Sequence, residues 1–303
     1  MKTFKSILQF QKHFNTDEKC RAFLESQRWG NTPCCPFCAS INNTRLKDGR
    51  RFQCNEKPCR KQFSVLVGTV AENTKISLTK WFYAMYILSN HSKGISSHQL
   101  AVWLDVTQKT AWFLNHRIRQ MLNDNAPELL RGVVEVDETY VGGKVSNKHV
   151  SKRKKAGKFD NKTMVFGAVE RDGKVITKVV PNTKADSLIP AIAGIVEAGS
   201  IMVSDENPSY NSLNGKYRHV SINHGKEEYV RGAAHTNTIE GFWSLLKRQI
   251  TGIHHSVSPK HLQRYCNESA YRYNNKLVAQ DERFANALAN CDRRLTYNQL
   301  INK

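Results

Sequence analysis

VVEVDETYVGG, residues 133–143, is the stretch on which the fold turns. Its β-branched residues run up to a Gly142-Gly143 break, a pattern that predicts a strand closed by a turn. Asp137 is expected to end this strand, just before the Gly142-Gly143 turn, with Glu135 and Glu138 on either side of it. Alternation alone does not say which of these acids shares a face with a functional site. An isolated Asp at a strand end more often forms a turn, so the meaning of Asp137 depends on what the rest of the chain brings to it.

Downstream, TMVFGAVER (163–171), KVITKVVPN (174–182) and SIMVSDEN (200–207) are further short β-branched runs bounded by Gly, Asp or Asn. ADSLIPAIAGIVEAG (185–199) reads as an amphipathic helix between the third and fourth strands. HTNTIEGFWSLLKR (235–248) and PKHLQRYCNESAYRYNN (259–275) continue as helices. Strands, a helix, a strand and then helices predict an α/β layer fold. In such sheets site residues gather at strand ends. Asp205 closes the fourth strand before Pro208, and Glu240 sits early in the following helix.

Upstream the texture differs. CCPFC (34–38) and CNEKPC (54–59) hold the pairs Cys35-x-x-Cys38 and Cys54-x4-Cys59. Four thiolates in two close pairs suit tetrahedral Zn2+, and the Asp48-Gly49 turn between strand-like flanks reads as a zinc ribbon. Cys34 competes with Cys35 for the first position, whereas Cys20 reads as a packing residue. The remaining cysteines, Cys266 and Cys291, stand apart. SLTKWFYAMYILSNH, from a Ser77 cap, predicts one helix. Two more are predicted at about 96–104 and 107–122, capped by Ser96 and Thr107 and joined by a turn at Asp105. That pair predicts a helix-turn-helix, with Gln108, Lys109 and Thr110 at the exposed start of the second helix. The expected organisation is multidomain: 1–75 a zinc ribbon with an extension, 76–128 a helix-turn-helix segment, and 129–303 a catalytic α/β domain.

Composition points to the partner. Lys and Arg number 46 against 26 Asp and Glu, a net charge of +20, in a chain of 303 residues. Such an excess favours a polyanion, and the ribbon and helix pair make DNA the expectation. No apolar run approaches the roughly 18 residues of a membrane span, and no secretory signal opens the chain, so a cytoplasmic protein is expected. Between the first two strands, Lys144 to Lys158 contain seven Lys or Arg and no acid, Lys152, Arg153, Lys154 and Lys155 among them. A mobile, solvated loop of this kind also neutralises phosphates.

Three carboxylates that converge at strand ends cannot all stay ionised without a compensating cation. Mg2+ or Mn2+ suits their hard oxygens, and two such ions can clamp the attacking and leaving oxygens of a phosphodiester. Asp137, Asp205 and Glu240 are therefore the candidate catalytic and Mg2+-binding set.

These residues carry a resemblance. CPFC with CNEKPCRKQFSVLVGT, KGISSHQLA, KTAWFLNHRIR, VEVDETYVGGK, SDENPSY, HTNTIEGFWSLLKR and HHSVSPKHLQRYCNESAYRYN resemble, in the same order, the ISXO-like bacterial insertion-sequence transposases related to eukaryotic Merlin elements. The resemblance spans about residues 29–275. It implies a ribonuclease-H-like core with a DDE triad of Asp137, Asp205 and Glu240. The implied activity is binding of double-stranded DNA at terminal inverted repeats, metal-dependent cleavage, and transfer of 3′ ends into target DNA by a homodimer or larger assembly. It also implies that Lys247, with Arg248 beside it, contacts terminal DNA. Asn237, one turn before Glu240, is expected to assist a metal or DNA contact. His235, His254 and His255 are expected as DNA or packing contacts, and nucleoid association follows from DNA binding.

Overall fold

A computed structural model describes residues 4, 6–123, 127–143, 146, 149–153, 161–213, 215–222, 235–292 and 294–301. The chain divides into two compact units, Met1–Asn123 with Leu277–Lys303, and Asp124–Lys276.

In the first unit, helices α1 (Ile7–His13) and α2 (Asp17–Trp29) precede a small antiparallel sheet of β1 (Asn43–Arg45), β2 (Phe52–Cys54) and β3 (Gln62–Phe63). Three helices follow: α3 (Leu78–Asn90), α4 (Ser97–Leu104) and α5 (Gln108–Met121). Ser77, Ser96 and Thr107 cap them, each hydroxyl accepting the amide three residues on. Asp105, left-handed at φ 49°, ends α4 and makes the tight turn into α5. Phe10, Phe14 and Phe82 form an aromatic core that is completed from the far end of the chain. The Phe284 ring stands edge-on to Phe10 at 4.9 Å and lies 5.4 Å from Phe82. It belongs to the helix Gln280–Ala289, and the Val70 amide donates to Cys291 O at 2.8 Å just beyond that helix.

The segment after 276 was expected in the catalytic domain, and here it closes the N-terminal unit instead. The physical reason is its apolar stripe. Phe284, Leu288 and Cys291 are buried against α2 and α3, and a fully buried Phe contributes about 2–3 kcal/mol.

The second unit is a five-stranded mixed sheet. Its strands are β4 (Val133–Gly142), β5 (Lys162–Glu170), β6 (Val175–Val180), β7 (Ile201–Ser204) and β8 (Arg218–Ser221), in the order β6-β5-β4-β7-β8. The first three pair antiparallel, while β7 lies parallel to β4 and β8 parallel to β7. This order and these directions fit the ribonuclease-H-like core implied by the resemblance. β8 has no counterpart in the strands read from sequence, since RHVS is too short to alternate visibly.

A nine-residue helix, Ala185–Ala193, covers one face through Leu188, Ala191 and Ile192, packed on Val134, Val136 and Phe166. On the other face, helices Asn237–Gln249 and Pro259–Asn274 bury Ile239, Phe242, Trp243, Leu246, Leu262 and Cys266 against Val141, Val165 and Val169. Period-two alternation therefore sends Val134 and Val136 to the first face, and Glu135, Asp137 and Val141 to the second.

Candidate active site and zinc centre

β4 outruns its parallel neighbour. The pairs Val133–Ile201 to Glu135–Val203 are in register, β7 ends at Ser204, and β4 continues to Gly142. Extending that register by two residues sets Asp205 beside Asp137. Asp137 was expected near the end of its strand; it lies in the middle, and the strand that ends there is β7. Pairing with β5 persists to Gly142–Lys162, so β4 need not stop where one neighbour does. Past the end of β7 both faces of β4 open onto the same space. One oxygen each of Asp137, Glu138 and Asp205 lie within 4.8 Å of one another.

Each carboxylate is held from its own side. Trp243 Nε1 donates to Asp137 Oδ2 at 2.9 Å. The ring reaches that far because the residue paired with Asp137 on β5 is Gly167, where a Cβ would stand 2.5 Å from Trp243 Cη2. On the opposite face, buried Tyr210 donates its hydroxyl to Glu138 Oε1 at 2.5 Å. The Asn207 amide donates to Asp205 Oδ1 at 3.1 Å, shaping the turn that leaves β7.

Burial, with the charges of Asp205 and Glu240 behind it, pushes Asp137 up to about 6 despite the Trp243 hydrogen bond. Burial also raises Glu138 to about 7, against the pull of the Tyr210 hydroxyl and with Asp205 and Asp137 adding to the rise. Glu240 is exposed on its helix and is not one of the three clustered acids; its Oε1 accepts the Thr236 hydroxyl at 3.0 Å. A set of carboxylates that raise one another's proton affinity has the donor chemistry of a hard divalent cation site.

The cysteines give a second test of fit. Cys35 Sγ lies 3.8 Å from Cys59 Sγ, and Cys38 Sγ lies 3.6 Å from Cys54 Sγ. Four thiolates about 2.3 Å from one tetrahedral Zn2+ stand about 3.8 Å apart, so the spacing matches the ion. Cys34 is outside the group, its Sγ 3.3 Å from Ala39 O, and Cys20 is buried in the helical core.

Residues 129–274 match the ISXO2-like transposase domain, and residues 15–62 match the transposase zinc-ribbon domain. A protein of the transposable element ISH50 of Halobacterium salinarum is 30% identical over 270 residues, covering 84% of this chain and 90% of that protein. The chain belongs to the ISXO2-like transposase family. It is the transposase of an insertion-sequence family, and its four ribbon cysteines support structural zinc. A transposase-like protein of Haemophilus influenzae is 32% identical over 106 residues, 35% of this chain and 85% of that protein. Among solved structures, the match to a pre-cleavage Mos1 transpososome covers 96% of this chain and 97% of that chain at 11% identity and a TM-score of 0.27.

The other residues singled out in this transposase are dispersed. Asn237, Lys247 and Arg248 are exposed on the helix of Glu240. His235 stands just before that helix, and His254 packs edge-on to Tyr265 at 4.7 Å. Gln108 donates to Ser97 Oγ at 2.8 Å, and Thr110 donates its amide to the Thr107 hydroxyl. Lys109 lies over the Tyr297 ring at 5.3 Å, a contact from the C-terminal segment that the sequence did not announce. Lys152 and Arg153 fall in a short helix, Val150–Arg153, while Lys154 and Lys155 lie outside the described residues. Among the described residues no helix is long and apolar enough to cross a membrane.

Sequence reasoning missed Tyr210, Trp243 and Gly167, and left Glu138 and Glu135 undecided. A glycine inside the strand pattern TMVFGAVER was the available signal, since it marks a close approach by another group.

Proposed function

We propose that this transposase binds the terminal inverted repeats of its element, cleaves there, and joins the 3′ ends to target DNA. The observation that carries this reading is the meeting of Asp137 and Asp205, with Glu138, beyond the end of β7. In the first step water attacks the phosphorus at the element end, the P–O3′ bond breaks, and a 3′-hydroxyl is released. In the second, that hydroxyl attacks a target phosphodiester and displaces a target 3′-oxygen. The second step is a transesterification that makes one phosphodiester for each one broken, so joining needs no external energy source.

Asp137, Asp205 and Glu240 would hold divalent metal, with Mg2+ or Mn2+ supplying charge stabilisation of the attacking and leaving oxygens. The Trp243 N–H fixes the orientation of Asp137, and the Tyr210 hydroxyl does the same for Glu138. Lys247 and Arg248, about two turns along the helix from Glu240, neutralise phosphates of the bound end. Asn237 assists from the first turn. The pair α4 and α5 acts as a helix-turn-helix with Gln108, Lys109 and Thr110 toward the major groove. The basic segment around Lys152, Arg153, Lys154 and Lys155 tracks the backbone, with His254 supporting a DNA contact. Joining two ends to one target calls for a homodimer or larger assembly on DNA.

The test is a strand-transfer assay on a duplex carrying the element end. Asp205→Ala lowers both nicking and joining on the order of 1,000-fold while end binding persists. Equal joining by the variant and the wild type overturns the assignment. Products that are cleaved and never joined turn the reading toward a nuclease.

A further inference from the structure

Glu135 precedes Asp137 by two residues on the same face of β4 and is wholly shielded from water, at 0% exposure. A carboxylate in that position must be met by donors. Its Oε2 accepts the backbone amides of Thr238 at 2.9 Å and Ile239 at 3.1 Å. Its Oε1 accepts the Thr238 hydroxyl at 2.9 Å and Arg171 Nε at 3.1 Å, with His235 Nδ1 at 3.2 Å from the same oxygen. Arg171 Nη2 donates in turn to His235 O at 3.2 Å.

These amides open the helix Asn237–Gln249, which carries Glu240. An N-terminal turn is ordinarily capped by the residue just before it. Here that residue, Thr236, makes no capping bond, and its hydroxyl goes to Glu240 Oε1 instead. The cap comes from a strand more than a hundred residues earlier in the chain. A negative charge at this end of a helix is also favoured by the helix dipole.

We infer that Glu135 is a positioning residue: by capping the Glu240 helix from β4, it fixes the separation between Asp137 and Glu240. Arg171 and the Thr238 hydroxyl are the other members of the clamp. The inference rests on the reading of Glu240 as an acid of the metal site. Glu135 itself touches neither metal nor DNA. It acts through the backbone, and the Thr236 hydroxyl is left free to orient Glu240.

The experiment is Mn2+ titration calorimetry on the full-length protein, paired with the Mg2+ concentration that half-saturates cleavage. Glu135→Gln keeps the shape and loses the charge and one acceptor. It is expected to weaken Mn2+ binding about tenfold and raise the Mg2+ requirement in step, in the range of changes to groups that orient metal ligands. The Glu135→Gln, Glu240→Gln double variant is expected to bind no more weakly than Glu240→Gln alone, because both act through one carboxylate. Thr238→Val removes only the hydroxyl donor, and a shift of about threefold is expected. It carries the same measurement if Glu135→Gln does not fold.

A folded Glu135→Gln with wild-type Mn2+ affinity and Mg2+ requirement, beside a Glu240→Gln that loses both, overturns the clamp and leaves the triad standing. So does a double variant whose losses multiply. If Glu240→Gln itself changes neither quantity, the triad reading falls and the clamp falls with it.

Discussion

Asp137 shows how much a single side chain depends on residues distant in sequence. Its oxygen takes a hydrogen bond from Trp243, whose ring fits only because Gly167 offers no side chain. The same burial that orders it opposes its ionisation, and Glu138 shares the difficulty. Both hold protons more tightly in the folded state than in the unfolded chain, where their ordinary values are 3.8 and 4.5. Their contribution to stability is therefore complete below about pH 4 and is lost as pH rises through about 6 and about 7. Thermal melts of the zinc-loaded protein without Mg2+ or Mn2+ from pH 4.5 to pH 7.5, a span of about 3 units, should show this decline. Asp137→Asn removes its part of the slope, and millimolar Mg2+ flattens what remains in the wild type. An unchanged slope in Asp137→Asn contradicts the assignment of burial and like charge as the cause.

At the scale of elements, strand lengths explain both centres. The ribbon strands have three, three and two residues, too little for a sheet to persist unaided. Zn2+ held by Cys35, Cys38, Cys54 and Cys59 would supply the missing constraint. Cys54→Ser is expected to abolish the bound zinc, read as one equivalent per chain by elemental analysis, and to expose the Phe52–Phe63 stack that lies beneath it. Retained zinc at one equivalent would contradict the four-cysteine site. The ribbon was legible in sequence because its chemistry is local: two pairs of cysteines sit within six residues each. The carboxylate site was legible only in part. The strand pattern disclosed Asp137 and Asp205, but the opening of both β4 faces depends on where β7 stops, which no residue of β4 records. Glu135 stayed an undecided acid for the same reason, since its partners are amides of a helix formed a hundred residues later.

For the molecule as a whole, the net charge of +20 announced a polyanionic partner, and family membership agrees with it. What composition and pattern did not disclose was the destination of the C-terminal segment. Its amphipathic stripe predicts burial without naming the partner, and Phe284 finds it among Phe10, Phe14 and Phe82. Through Tyr297 the same segment meets Lys109 at the start of α5. The compact unit holding the zinc ribbon and the α4–α5 pair is thus built from both ends of the chain, while the acids belong to the unit between them.

The most direct test of the central claim is the yield of joined product from an end-containing duplex at saturating Mn2+. It compares the wild type with Asp137→Asn, Asp205→Asn and Glu240→Gln. Each substitution preserves shape and removes one charge. The account predicts that each loses joining on the order of 1,000-fold while binding the end with wild-type affinity. Joining by Glu240→Gln at the wild-type rate would contradict it.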